Sequence, residues 1–375
     1  MNFLTEFWAE KYLKEYIKEG GSKIKFVTGR KGSGKTFFMK ELQQIGEELN
    51  YKTVYFSAND IWLHDFREIY LEIFRQCDIL SVLEGCGRQI AARMGYDSSD
   101  IAEGQTFMDY LADQGMGDAI TRRELRLQLK EMFLDDPLLD NNFALACSLL
   151  TGGILGHPAL ENQNRELLLS WMGGDKSVKL ALLKGLGLSP ARITRYNARH
   201  MLRSLAEIIH QSGYAGLLVI VDDMEVLINR SSLAPVRYTK MRREDTYESL
   251  RQLIDDIDTL KHIMFLCGFR RELLDDDNAG IKSYQALWMR IQNEIVSSKF
   301  NCFADIADMD RMGEQAYTVE TLISMAGEIA EKRRGQGLPL VSAADAGDIL
   351  EQARYGNVGV PGLLCERLFG GESHV

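Results

Sequence analysis

No stretch of this 375-residue chain is apolar for the roughly 20 residues a bilayer-spanning helix needs. The first residues, Met1-Asn2-Phe3-Leu4-Thr5-Glu6, lack the basic segment that opens a secretory leader. A cytoplasmic protein with no membrane association is therefore expected. Cysteine is sparse and scattered: Cys77, Cys86, Cys147, Cys267, Cys302 and Cys365 form no C-x-x-C, so neither a zinc site nor a redox pair is indicated. Cys267 lies in an apolar run and reads as a small filler. The six histidines show no metal-ligand spacing, and no internal repeat is visible. Positive charge is also short. The formal net charge of −10 argues against a surface that coats nucleic acid, while leaving a local basic patch open. What remains, 45% hydrophobic and 26% charged, is ordinary globular composition with material for a large core in one elaborated domain or two.

Against that background one stretch is specific. Gly29-Arg30-Lys31-Gly32-Ser33-Gly34-Lys35-Thr36 fits G-x-x-x-x-G-K-[ST]. A β-favouring run, Lys23 to Thr28, leads into it, and a helical pattern, Thr36 to Leu49, follows. Glycines let a backbone turn tightly and approach phosphate oxygens. The amides from Lys31 to Thr36 can then point inward at a helix N-terminus, where the dipole favours anions. Lys35 is placed for the β- and γ-phosphates and the Thr36 hydroxyl for Mg²⁺.

Residues 2 to 18 read as an amphipathic helix, either packing on the sheet or meeting a partner. Tyr51 to Ser57 reads as a second strand. From Ile61 to about Ser212 the pattern is helical, with segments at 65–77, 81–94, 107–111, 119–133, 142–149 and 197–212 and no convincing strand. That is too long for a loop, so it reads as a helical insertion. Gly216 to Val221 is a continuous apolar run of the kind buried in a parallel sheet, and Ile263 to Cys267 is another. Ser298 to Phe303 reads as a last, weak strand, and helices are expected at 319–333, 343–354 and 361–368. The expected fold is α/β: an AAA+-like P-loop NTPase with a parallel sheet, a large helical insertion and a helical C-terminal lid. Residues 1–60 open the ATPase core, 61–212 form the insertion, 213–305 complete the core and 306–375 form the lid.

The run Leu217-Leu218-Val219-Ile220-Val221 ends in Asp222-Asp223, an apolar strand with an acid at its tip. A carboxylate emerging there can hold Mg²⁺ through water, and Asp222 is expected in that role. The next acid would orient the attacking water. Asp223 stands there, one methylene shorter than the usual Glu, and Glu225 could substitute if the backbone turns. The later strand ends Cys267-Gly268-Phe269, without a polar residue at its tip to contact a γ-phosphate. Arg290 lies where such folds present an arginine to a neighbouring subunit, and equally reads as a surface residue. Arg242 and Arg243 follow a loop, Ser231 to Thr239. Arg122, Arg123, Arg126 and Lys130, and Arg192, Arg195, Arg199 and Arg203, form basic helix faces that could track phosphates or pair with the acidic surface.

Several segments together resemble a family: Gly29 to Thr36, Trp171-Met172-Gly173-Gly174-Asp175, Gly213-Tyr214-Ala215-Gly216-Leu217 leading to Val219 through Glu225, Tyr247 to Asp255, and Gly280 to Leu287. They look like the BREX-system ATP-binding proteins, a P-loop group related to AAA+ and origin-recognition-like ATPases. The resemblance implies an ATP- and Mg²⁺-dependent component of a prokaryotic anti-phage defence system. Its partners would be other proteins of that system, while the arginines leave further copies of the chain and DNA open as partners. Two departures stand out. Where the family pattern resembles Gly-Thr-Pro this chain has Gly268-Phe269-Arg270, and where it resembles Pro-Arg this chain has Pro361-Gly362. With Asp223 in place of Glu, the resemblance leaves two functions open: slow ATP hydrolysis, or a nucleotide-dependent scaffold.

Overall fold

In a computed structural model, which describes residues 2–102, 104–229, 236–295, 301–333 and 338–370, five parallel strands run in the order β2-β3-β4-β1-β5. They are β1 (Ser22–Gly29), β2 (Lys52–Ser57), β3 (Leu217–Asp222), β4 (Ile263–Arg270) and β5 (Ile306–Asp308). The helices are α1 (Asn2–Trp8, running on as a π-helix over Ala9–Ile17), α2 (Lys35–Glu48), α3 (Phe66–Cys77), α4 (Ile79–Arg93), α5 (Phe107–Asp113), α6 (Ala119–Leu129), α7 (Asn141–Leu155), α8 (Asn162–Met172), α9 (Leu180–Leu183), α10 (Ala198–Gln211), α11 (Lys240–Asp255), α12 (Glu272–Asp275), α13 (Gln285–Ile295), α14 (Met309–Ala316), α15 (Val319–Lys332), α16 (Ala343–Tyr355) and α17 (Val360–Phe369).

Side chains on a strand alternate between faces, and that period of two divides the core. Ile24 and Phe26, Leu217, Val219 and Val221, and Ile263, Phe265 and Cys267 face one way and join the apolar side chains of α3, α4, α7 and α10. The helices between β2 and β3, expected as an insertion, therefore share the core of this sheet face. Val27, Leu218, Ile220, Met264 and Leu266 face the other way, onto Trp8, Leu13 and Ile17 of the N-terminal helix and Phe38, Met39 and Leu42 of α2. The N-terminal helix thus covers the sheet in this structure. A third cluster, built from Leu322, Ala326, Ile349, Leu364 and Leu368, holds α15, α16 and α17 together.

Lys25 alternates onto the second face and is fully buried. Its ammonium lies 4.5 Å from the Tyr12 ring centroid, donates to the carbonyls of Phe303 and Ala304 at 2.7 Å each, and pairs with Asp305 at 3.0 Å. A charge without water requires such partners. Here they tie the N-terminal helix, β1 and the approach to β5 into one knot.

The last strand differs from the sequence expectation. Residues 301–303 are not a strand, residues 298–300 of the expected segment lie outside the described residues, and the edge strand is Ile306–Asp308, paired with β1. The sheet therefore runs past residue 305, where the core was expected to end. Residues 230–235 of the loop before Arg242 also lie outside the described residues.

Candidate nucleotide-binding site

The strand β1 delivers the chain into its loop at Gly29, whose φ of +155° and lack of a side chain are both used: a Cβ there would stand 2.5 Å from Ser33 Oγ. Gly34, at φ +92°, turns the loop into α2. Lys35 is 9% exposed and bends back so that its ammonium donates to the Gly29 carbonyl at 3.1 Å and the Arg30 carbonyl at 3.0 Å. Burial lowers its pKa, and the charges of Glu225 and Asp222 oppose that shift. A buried ammonium held by neutral carbonyls, with acids at a distance, is a site prepared for an anion.

The strand β3 supplies the opposing acid. β4 lies between β3 and β1, so the Asp222 carboxylate reaches across to the start of α2. There the Thr36 hydroxyl donates to Asp222 Oδ2 at 2.7 Å, the Tyr55 hydroxyl donates to the same oxygen at 3.2 Å, and the Asp223 amide donates to Oδ1 at 2.8 Å. Burial, and then the Asp222 charge, push the Tyr55 hydroxyl pKa up, which keeps it a donor.

This reach explains the missing polar residue on β4. A Cβ at Gly268 would sit 2.7 Å from Asp222 Oδ1 and closer still to the Met39 thioether methyl. Position 268 is bare because the acid passes over it. The strand then continues beyond the expected tip to Arg270, whose guanidinium pairs with Glu225 Oε1 at 2.7 Å while its amide donates to Oε2 at 3.1 Å.

The predicted acids are thereby separated. Asp223 is in the left-handed region at φ +60°, and its carboxylate accepts from the Ser57 hydroxyl at the end of β2 at 2.7 Å. The turn carries Glu225 back toward Lys35, with only 17% of its side chain exposed. Burial raises its pKa, with Arg270 and Lys35 pulling the other way. Arg290 lies elsewhere: both its Nε and a terminal nitrogen are held by Asp255, at 2.6 and 2.7 Å. Among the basic helix residues, Arg199 packs on Phe66 and binds Gln252, Arg203 donates to the Leu138 carbonyl, and Arg192 donates to the carbonyls of Lys176 and Val178. These three serve the chain's own packing rather than a free basic stripe. Arg122, Arg123 and Arg126 on α6 are exposed.

Some residues of the site were invisible in the sequence. Asp310, 280 positions from Arg30, accepts from the Arg30 amide at 2.7 Å and pairs with its guanidinium at 3.0 Å. No local pattern links the two. Ser57 and Tyr55 were legible only as members of a strand.

The residues present fit a phosphate chain and a divalent cation. Ser33 Oγ is buried in the loop with no hydrogen-bond partner among the described residues. The Thr36 hydroxyl and the Asp222 carboxylate already touch, and hard oxygens of this kind suit Mg²⁺. A glycine-rich strand–loop–helix cradle, facing an acid from the next strand but one, defines a P-loop nucleotide-binding protein. The family comparison agrees: residues 10–312 match the family described as BREX system ATP-binding protein BrxC/D, and the chain belongs to it. No curated protein matches, and neither does any solved structure. Among the described residues no helix is long and apolar enough to cross a membrane.

Proposed function

We propose that this chain is an ATP-binding, slowly hydrolysing component of an anti-phage defence system, coupling nucleotide occupancy to assembly or remodelling of a partner complex. Membership of the BREX ATP-binding family supports the setting. The observation that carries the chemistry is the 2.7 Å contact between Thr36 and Asp222 beside the buried Lys35 ammonium. In this reading, the amides from Lys31 to Thr36 and Lys35 hold the β- and γ-phosphates, and Thr36 and Asp222 hold Mg²⁺. Bound Mg²⁺ neutralises charge on the phosphate oxygens. Glu225, turned back toward Lys35, is the acid that orients water, and Asp223 braces the turn from Ser57. The fold is read as AAA+-like, with β4 between the loop strand and the acid strand and α15–α17 as the lid. Further copies of the chain, other defence-system proteins and DNA are the proposed partners. Exposed Arg122, Arg123 and Arg126 are the residues offered to DNA, and Arg290 is offered to a neighbouring copy once released from Asp255.

A specific observation favours a second reading. Glu225 is held at both oxygens by Arg270. A chain that keeps this pair closed would bind nucleotide without turning it over, as a scaffold or switch. Nucleotide binding and steady-state phosphate release, measured on wild type, Lys35→Ala, Asp223→Ala and Glu225→Gln with and without DNA, separate the two. Hydrolysis requires wild type to release phosphate well above Lys35→Ala under some condition. Wild type that binds ATP but never exceeds Lys35→Ala is a scaffold.

A further inference from the structure

The side chain of Arg30 points out of the phosphate loop. Its terminal nitrogen donates to the carbonyls of Ala353 at 2.6 Å and Gly356 at 2.8 Å, at the C-terminal end of α16, while its Nε holds Asp310. Helix ends leave carbonyls without intrahelical donors, and a guanidinium has the donors to satisfy two of them and a carboxylate at once. The traffic also runs the other way. The Gly359 amide donates to the Lys31 carbonyl and the Gly362 amide to the Gly32 carbonyl, at 2.8 Å each, and Lys31 and Val358 form a parallel bridge. A Cβ at Gly362 would lie 2.8 Å from Gly32 Cα, and one at Gly359 would lie 2.6 Å from Ser33 Cα. Two backbones meet here with no side chain between them.

These contacts join bodies with separate cores. The unit of α15, α16 and α17 packs around Leu322, Ile349 and Leu364, while the loop belongs to the sheet. The carbonyls that α17 engages belong to Lys31 and Gly32, whose peptides adjoin the amides assigned to phosphate in the proposed function. A loop that moves to wrap an anion moves those carbonyls with it.

We propose that Arg30 is a positioning residue that fastens the phosphate loop to the C-terminal helical unit, so that nucleotide affinity and the seating of α16 and α17 form one coupled equilibrium. The proposal rests on the nucleotide-binding reading above. Arg30 acts on the ligand through the loop backbone, and its guanidinium touches the helical unit instead. Coupling of this kind is reciprocal and typically amounts to about 5- to 150-fold in affinity.

The test is hydrogen exchange on the full chain, alone and with Mg²⁺ and ADP or a slowly hydrolysed ATP analogue, with affinities measured calorimetrically. Wild type, Arg30→Ala, Arg30→Lys and Gly362→Ala are compared. In wild type, nucleotide should change protection across residues 353–369. Arg30→Ala and Gly362→Ala should raise exchange there without ligand, lose the nucleotide response and bind nucleotide about tenfold more weakly, with β3 and β4 still protected as in wild type. Arg30→Lys should recover part of both effects, since an ammonium lacks the planar fork. Two results overturn the proposal alone: bound nucleotide that leaves 353–369 unchanged in wild type, or Arg30→Ala with wild-type affinity. If wild type binds no nucleotide, the reading beneath falls as well.

Discussion

A left-handed turn at Asp223 sorts three neighbouring carboxylates into three environments. Asp222 stays at the strand tip against Thr36, Asp223 swings to Ser57, and Glu225 returns toward Lys35 under Arg270. Their order in the chain does not reveal this, because the residue immediately after Asp222 is the one turned aside. Glu225→Gln should therefore lower phosphate release by about 100-fold, within the range of a positioned acid–base group, and Asp223→Ala by only a few-fold. Steady-state phosphate assays decide; equal losses would return the role to Asp223. His210 and His262 stack with ring centroids 3.5 Å apart. Burial, and then the His210 charge, push His262 down to about 4, and burial lowers His210. A histidine whose folded pKa is depressed favours the native state above its unfolded pKa, near 6.5, and that stability is lost as pH falls toward 4. The wild-type melting temperature should drop between pH 7 and 5. His262→Asn, which tolerates the φ of +55°, should reduce the drop by a few degrees, since both rings are half-buried and solvent screens part of the repulsion.

Elements with a clear period could be read in advance. Helix α10 carries its buried Met201, Leu202, Leu205, Ile208 and Ile209 on one face and was legible to within a residue at each end. Strands β3 and β4 were legible as apolar runs. Helix α8 was not, because its first turns, Asn162-Gln163-Asn164-Arg165-Glu166, are polar and its buried Leu168, Trp171 and Met172 come only at the end. Three residues of β5 are too few to show any period. Helix α13 presents mainly Leu287 and Ile291 to the core, which a sequence window passes over. Where β4 must pass under Asp222, the element itself tunes the site. Gly268→Ala should leave the sheet folded by circular dichroism yet weaken Mg²⁺-dependent nucleotide binding about tenfold, because its methyl competes with Asp222 Oδ1. Retained affinity would show that Met39 and Asp222 give way without loss.

The molecule as a whole is two cores on one sheet, with a third body fastened to the phosphate loop. Lys25 is where the second sheet face is knotted to both chain directions, since it reaches residues 303 to 305 from β1 beneath Tyr12. Lys25→Met keeps the stem but strands two carbonyls, while Asp305 keeps its ion pair with Lys23 at 2.7 Å. Removing one partner of a buried pair costs about 3–5 kcal/mol, and the loss here falls at or below the lower end because Asp305 is partly exposed and retains Lys23. Chemical denaturation should report this loss, together with early exposure of the N-terminal helix in hydrogen exchange. A neutral result would mean that packing on Trp8 and Tyr12 outweighs the charge.

By itself the sequence determined the loop, the acid strand and the helical character of the stretch between β2 and β3, and it carried the segments that resemble the BREX ATP-binding family. The first three are written in local spacing: glycines at a turn, apolar runs of strand length, a helical period. Tertiary structure decided where each of the three acids points, that Asp222 passes over a bare position on β4, and that the Arg30 guanidinium reaches the carbonyls of Ala353 and Gly356. Those outcomes depend on pairs such as Arg30 with Asp310 and Gly32 with Gly362, hundreds of residues apart, and on the left-handed turn at Asp223. Spacing along a chain carries no record of which distant backbone will approach it, so only packing could set them.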